Sequence, residues 1–334
     1  MKVAIVGLGY WGPNLVRNFL SSKNVEKVVC FDIQQSKIDR MKKKFPEIEV
    51  EQSFEQLLQR KDIEAVAIAT PVSTHFPLGM QVLRAGKHLL LEKPMAATVK
   101  EAEDLASFAD KEGLKISIDH TFIYTDAIQK IKELVNNDVV GDILYFDSVR
   151  INLGLFQHDT NVIWDLAPHD VSIMYYLVNG VPSKVSAIGA QHFNGFHDMA
   201  YITVQYNKSL IAHFHVNWLS PVKIRRVLIG GSKHMVLYDD MNPSEKVKVY
   251  DKGVEVNDEE SLHHALVQYR LGDMFVPRID EKEALSVMID DFISSIENDS
   301  HSISNAQFGV NVVRILEAAD TSAKRGGISI SIES

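Results

Sequence analysis

Val3-Ala4-Ile5-Val6 runs directly into Gly7-Leu8-Gly9-Tyr10-Trp11-Gly12, and these ten residues decide the fold. Four consecutive apolar residues suit a strand buried on both faces of a parallel sheet. The hexapeptide is a full G-x-G-x-x-G, and residues 14–21 after it follow a helical pattern. Strand, glycine turn and helix, in that order, let a dinucleotide pyrophosphate rest on helix N-terminal amides. The first glycine permits the tight turn, the second lets the ligand approach the backbone, and the third lets helix and strand pack closely. Gly7, Gly9, Tyr10, Trp11 and Gly12 are therefore candidate cofactor contacts. The plainer reading is a structural glycine turn without ligand; the strand-to-helix context favours the nucleotide.

Asp32 follows Gly12 by 20 residues and ends a second apolar run, 25–31. A carboxylate there accepts hydrogen bonds from ribose hydroxyls and repels a 2′-phosphate, so NAD is expected ahead of NADP. Lys37 nearby is a cation that would offset that repulsion.

Further apolar runs at 65–69, 88–91 and 115–118 alternate with helical stretches. Ser53 with Gln56, and Thr98 with Glu101, have capping-box spacing. Gly86 and Gly113 stand where helices should stop. The expectation is an α/β chain whose residues 1–121 form a Rossmann domain, a doubly wound parallel sheet. Residues 122–334 read differently, as an α+β domain with a large, mostly antiparallel, open-faced sheet. Helices are expected at 125–136 and 168–178, and strands at 143–153, 184–192, 199–206, 209–218, 223–230 and 235–238. A tight hairpin is expected around Asn207-Lys208. Two helices, 281–298 and 305–324, and a short strand at 328–332 close this second domain.

A length of 334 residues suits two cores rather than one. The formal net charge of -9 argues against a nucleic-acid surface. One cysteine, Cys30, excludes an intrachain disulfide and fits a reducing compartment. No apolar run approaches the roughly 20 residues of a membrane span, and the N-terminal run is short for a signal peptide. A cytoplasmic protein with no membrane partner is the expectation.

Three segments carry candidate chemistry. The loop Thr70-Pro71-Val72-Ser73-Thr74-His75 leaves the carboxyl end of a strand, where ligands sit in open α/β sheets. Thr70 and His75 are candidate cofactor contacts, with Thr74 equally a helix cap. Glu92-Lys93-Pro94 follows another strand and would aim a lysine at the nicotinamide end of the crevice. Low-dielectric walls there would suit Lys93 to acid-base work; a surface lysine is the bland reading. In Asp165-Leu166-Ala167-Pro168-His169-Asp170, Pro168 suits the first position of a helix. His169 would then lie in the first turn, where the helix dipole favours the neutral imidazole a general base needs. Asp165 could orient that ring or bind a substrate hydroxyl, or Asp165 and Asp170 could simply cap the helix. Asn152 and Asn161 are possible substrate contacts, and Asp119, His120 and Thr121 could approach the nicotinamide ribose. His213 and His215 alternate on one strand, but two ligands without a third do not make a metal site, and none is expected.

Gly-x-Gly-Tyr-Trp-Gly, Glu92-Lys93-Pro94 and Asp165-x-x-x-His169, in this order and spacing, resemble the glucose-fructose oxidoreductase, inositol dehydrogenase and rhizopine catabolism (Gfo/Idh/MocA) family. The resemblance spans the chain. It implies NAD(P)-dependent oxidation or reduction of a sugar or cyclitol carbon. It also implies a catalytic role for Lys93, and roles for Asp165 and His169 in binding the reacting hydroxyl and moving its proton. A homodimer or homotetramer formed through the second domain's sheet is implied as well. The segments around Trp11 and Trp164 are similar in particular to bacterial sugar-nucleotide 3-dehydrogenases acting on a UDP-N-acetylhexosamine or its uronate. Leu166-Ala167-Pro168 replaces the glycine-rich segment of uronate-specific members, which points away from the uronate. The rival readings are a simple-sugar or inositol dehydrogenase, an NADPH-dependent sugar ketoreductase, and a non-catalytic NAD-binding regulator.

Overall fold

The computed structural model describes residues 1–154, 160–193, 195–206, 210–251, 253–255, 268–270 and 272–332. The chain divides into two compact units, Met1–Tyr124 with Lys282–Glu317, and Thr125–Glu281 with Ala318–Ser334.

The first unit is built on β1 (Lys2–Val6), β2 (Lys27–Phe31), β3 (Glu49–Val50), β4 (Ala65–Ile68), β5 (His88–Leu91) and β6 (Ile116–Ile118). They form one sheet in the order β3-β2-β1-β4-β5-β6, with every neighbouring pair parallel. Helices α1 (Gly12–Ser21), α2 (Gln35–Lys44), α3 (Phe54–Gln59), α4 (His75–Arg84) and α5 (Val99–Lys111) connect them. Val3, Ala4, Ile5, Ala65, Val66, Ala67, Leu89 and Leu91 are fully buried, which explains the unbroken apolar runs. Ser53 and Thr98 cap their helices as the spacing predicts, accepting N–H bonds from Gln56 and Glu101. Strand order reverses between β1 and β4, so the loops leaving these two strands flank the switch point where ligands bind in such sheets.

The helix Ala284–Glu297, expected with the second domain, packs in the first unit. Its buried face carries Leu285, Met288, Ile289, Phe292 and Ile293, and Asp291 accepts the Tyr124 hydroxyl at 2.8 Å. Helical periodicity shows that such a face must be covered; it does not say which sheet covers it.

The second unit carries a sheet in the order β16-β13-β12-β11-β7-β10-β9-β8-β17. Its strands are β7 (Ile143–Leu153), β8 (Pro182–Ala190), β9 (Met199–Tyr206), β10 (Ile211–Asn217), β11 (Leu219–Gly231), β12 (Met235–Asp239), β13 (Val247–Tyr250), β16 (Met274–Phe275) and β17 (Ile330–Ser331). All pairs are antiparallel except β7 with β10. A separate pair joins β14 (Gly253–Glu255) and β15 (Gln268–Arg270). One face buries Phe146, Arg150, Ile202, Ala212, Phe214 and Val216, while Tyr145, Tyr201, Ile188 and Ile211 are exposed on the other. Helices α6 (Asp126–Asn136) and α7 (Val162–Leu177) belong to this unit. The short strands β13 to β16 escaped sequence reading, and the hairpin expected at Asn207-Lys208 lies outside the described residues.

One helix boundary needs correction. α7 starts at Val162, not Pro168, and Pro168 lies inside it. Proline favours the first helical position, which suggested the later start. The true cap is Asn161, whose Oδ1 accepts the N–H of Ile163 at 3.0 Å and of Trp164 at 3.3 Å.

Candidate active site

The glycine turn separates protein-imposed glycines from one that the protein leaves open. Gly7 has φ +94°, and a Cβ there would strike the Ala69 carbonyl and Thr70. A Cβ on Gly12 would strike the Gly7 carbonyl, so helix and strand can approach this closely only with glycine. At Gly9 a Cβ would meet nothing within 4 Å. The α1 start has no side-chain cap and no acidic residue in its first turn. Space before Gly9 and an uncapped helix start fit a pyrophosphate at the turn. Tyr10 beside it is 92% exposed.

Asp32 is buried at the end of β2. Its Oδ2 accepts the Leu8 N–H at 2.7 Å and its Oδ1 the Gln34 N–H at 2.8 Å. The carboxylate is thereby fixed beside the glycine turn, as a ribose-binding acid requires. Lys37 Nζ lies 3.7 Å from Oδ2, so the cation anticipated near this carboxylate is present.

The loop after β4 packs on the turn through Thr70, whose hydroxyl bonds that of Thr74 at 2.6 Å. His75 is buried, with Nδ1 2.9 Å from the Pro94 carbonyl and Nε2 2.8 Å from the Thr70 carbonyl. Both ring nitrogens face protein carbonyls. The ring lies between the Thr70 loop and the Glu92-Lys93-Pro94 turn, and as a neutral imidazole it donates to one of the two carbonyls. Burial, aided by the Lys93 ammonium, pulls its pKa below the ordinary histidine value.

Glu92, Lys93 and Pro94 leave the carboxyl end of β5, and the Lys93–Pro94 peptide is cis. Glu92 Oε2 accepts the Lys93 N–H at 3.1 Å, while Oε1 is sealed from solvent with no donor. Burial, then the neighbouring Asp119 carboxylate, pushes the Glu92 pKa well above the usual carboxyl range. Asp119, at the end of β6, accepts the Trp11 indole N–H at 2.6 Å and also the Thr121 hydroxyl. His120 is buried, with Nδ1 2.8 Å from Ser304 Oγ and Nε2 without a partner. Burial and then Lys93 depress its pKa to about 3, so the ring is neutral near pH 7. An orphaned imidazole nitrogen at this edge again fits a ligand. Sequence reading placed Asp119 and Trp11 separately at the cofactor; their mutual bond had no local signal.

In the second unit, Asp165 and His169 are one turn apart on α7 and share a helix face. Trp218 Nε1 donates to Asp165 Oδ2 at 3.0 Å. His169 is half-buried in mid-helix, so the first-turn dipole argument for its neutrality does not hold. Asp170 caps nothing: it binds Arg150 through two bonds of 2.7 and 3.0 Å, and both side chains are buried. The Asn161 oxygen caps α7 and its Nδ2 donates to Asp320 at 2.7 Å. Asn152 lies near the end of β7, two residues before Gly154, which bonds the Trp218 carbonyl at 2.9 Å. Trp218 is the residue that sequence reading missed, since an aromatic after a strand reads only as core. His213 and His215 stack on Tyr201, with ring centroids 6.1 and 4.4 Å away. Among the described residues no group of three or more His, Cys, Asp or Glu side chains is placed to hold a metal, and no helix is long and apolar enough to cross a membrane.

Comparison with known proteins accounts for both units. Residues 1–120 match the family model described as "Oxidoreductase family, NAD-binding Rossmann fold", and residues 128–237 match the "GFO/IDH/MocA C-terminal domain". The scyllo-inositol 2-dehydrogenase (NADP(+)) IolW of Bacillus subtilis is 26% identical, over 97% of this chain and 94% of its own. The UDP-N-acetylglucosamine 3-dehydrogenase of Acidithiobacillus ferrooxidans is 28% identical over 58% of this chain and 60% of its own. Its solved structure, GnnA, aligns with a TM-score of 0.82 at 22% identity, covering 97% of this chain and 98% of its own. GenD2 from gentamicin A biosynthesis, solved in complex with NAD, gives a TM-score of 0.83 at 20% identity over 100% of this chain and 97% of its own, a likeness of fold. The chain belongs to the Gfo/Idh/MocA oxidoreductase family, with an NAD-binding Rossmann fold in its first unit.

Proposed function

We propose that the chain oxidises a secondary alcohol of a sugar, the C3 hydroxyl of a nucleotide sugar, with NAD as hydride acceptor. One observation carries the reading. The carboxyl edge of a single parallel sheet holds the open space before Gly9, the fixed Asp32 carboxylate and the Glu92-Lys93-Pro94 turn. Gly9, the first amides of α1 and Asp32 hold the dinucleotide, whose nicotinamide accepts a hydride when bound. Asp32 favours NAD over NADP by repelling a 2′-phosphate, with Lys37 softening the preference. Lys93 hydrogen-bonds the reacting oxygen and stabilises its developing negative charge. His169 takes the hydroxyl proton, and Asp165 orients the imidazole or the sugar. Asn152 contributes a substrate contact. The products are a ketone, a reduced dinucleotide and a proton on His169.

The UDP-N-acetylglucosamine 3-dehydrogenase relative supports the nucleotide sugar. A second reading, an inositol or simple-sugar dehydrogenase, is favoured by the near full-length match to the Bacillus inositol dehydrogenase. Native mass spectrometry of the purified protein reads bound nucleotide and assembly together. A panel of UDP-sugars, free hexoses and inositol, followed by nicotinamide absorbance, then reads the substrate. Turnover of a UDP-sugar with NAD is expected, and a roughly 10²–10⁴-fold lower rate in a folded His169→Ala variant. Bound NAD that no alcohol reduces would favour a regulator instead. Tyr145, Tyr201, Ile188 and Ile211, exposed on one sheet face, support pairing of two copies there; a cytoplasmic location is part of the same proposal.

A further inference from the structure

Glu92 and Asp119 are side by side because β5 and β6 are in register at Leu91 and Ile118, with Asp119 N–H bonded to the Leu91 carbonyl at 2.7 Å. The two residues follow that register pair on neighbouring strands, and the Asp119 carboxylate acts on Glu92 after burial in raising its pKa. Two ionised carboxylates have no hydrogen to share, and Glu92 Oε1 is buried without a donor. One proton between them satisfies both. Its owner follows from the partners. Asp119 accepts the Trp11 indole and the Thr121 hydroxyl, as an ionised carboxylate does. Glu92 accepts a single backbone N–H.

We propose that Glu92 and Asp119 share one proton, and that this singly charged pair is a brace positioning Lys93 against the glycine turn. Glu92 donates its O–H to Asp119, Asp119 holds Trp11 in the glycine turn, and Glu92 Oε2 holds the Lys93 backbone. Three loops at the sheet's carboxyl edge are thereby tied through two side chains. The other titratable groups facing the pair do not offer a competing proton near pH 7. His120 is neutral, and Tyr124, bonded to Asp291, is held protonated. Lys93 supplies positive charge to Glu92. The pair therefore presents one negative charge rather than two to the Lys93 ammonium, and holds it less tightly away from a substrate oxygen. That last consequence rests on the proposed role of Lys93; the position of the proton does not.

The test uses the full chain, labelled with ¹³C-carboxyl glutamate and freed of nucleotide. Infrared spectra at pH 7 should show a protonated glutamate carbonyl band that Glu92→Gln removes. No such band, or a band that survives Glu92→Gln, overturns the proposal. Should that variant fail to fold, the wild-type titration decides alone, because one glutamate still protonated at pH 7 supports the brace and none overturns it. Kinetics then read the positioning. Glu92→Ala should lower kcat at least about tenfold, with Glu92→Gln rescuing both rate and pH profile. Asp119→Asn takes the charged acceptor from Trp11 and should likewise lower kcat. A Glu92→Gln rate as low as that of Glu92→Ala would show that the protonated geometry does not position Lys93, and would overturn the proposal. If no substrate turns over, the functional reading fails while the infrared result still stands.

Discussion

The Trp11 indole N–H donates to Asp119 Oδ2 at 2.6 Å, joining residues 108 positions apart in sequence. One end of this bond is in the glycine turn and the other follows the last strand of the parallel sheet. A bond to a charged acceptor contributes about 1.5–3 kcal/mol. Trp11→Phe should lose about that much stability, read by chemical denaturation. NAD affinity should fall too, because the turn loses its tether. Unchanged stability would make the bond incidental.

Glu92 gives stability a definite pH dependence. Its folded pKa is raised above the unfolded carboxyl value of 4.5, so the folded protein keeps a proton that the unfolded chain releases. The stability Glu92 contributes is complete below that value and is lost progressively as pH rises towards the folded pKa. Glu92→Gln keeps the neutral geometry and removes the titration. Its stability relative to wild type should therefore rise between pH 5 and pH 8, measured by urea denaturation across that range. A flat difference would place the proton elsewhere.

Asp32 reads the ribose through charge and hydrogen bonding. Asp32→Ser removes the charge that disfavours a 2′-phosphate, while Lys37 remains to attract it. The NAD-to-NADP preference in kcat/KM should narrow by about tenfold, a difference of roughly 1.4 kcal/mol. An unchanged ratio would show that this carboxylate does not sense the 2′ position.

Asp170 belongs to stability rather than chemistry. Removing it takes the bidentate carboxylate from the buried Arg150 guanidinium, and breaking a buried pair from one side costs about 3–5 kcal/mol. Asp170→Ala should lower the unfolding free energy from urea denaturation by that amount, whereas a loss below about 1 kcal/mol would show that water reaches Arg150.

The parallel sheet was legible because its strands are buried on both faces and its helices end at Ser53, Thr98, Gly86 and Gly113, all local signals. The positions of the glycine turn, Asp32 and Lys93 at the carboxyl ends of strands were legible too, because each follows an apolar run. What sequence reading misplaced depends on distant partners. Pro168 looked like a helix start because nothing local shows that Asn161 is the cap. The carbonyls of Thr70 and Pro94 that flank His75 had no local signal, since they come from two separate loops. Asp170 looked like a cap because its partner Arg150 is 20 residues away on β7. Helix 284–297 was assigned to the wrong unit because its apolar stripe names no neighbour.

Gly9 separates a turn shaped for its own packing from one shaped for a dinucleotide. A Cβ there meets no protein atom within 4 Å, so a methyl group should cost the fold nothing beyond local propensity. It would occupy the space assigned to the pyrophosphate. The decisive measurement is calorimetric titration of NAD into wild type and Gly9→Ala, with melting curves of both. The account predicts superimposable melting and an affinity at least about tenfold weaker in the variant. Equal affinities, or a variant that binds poorly only because it has unfolded, would contradict it.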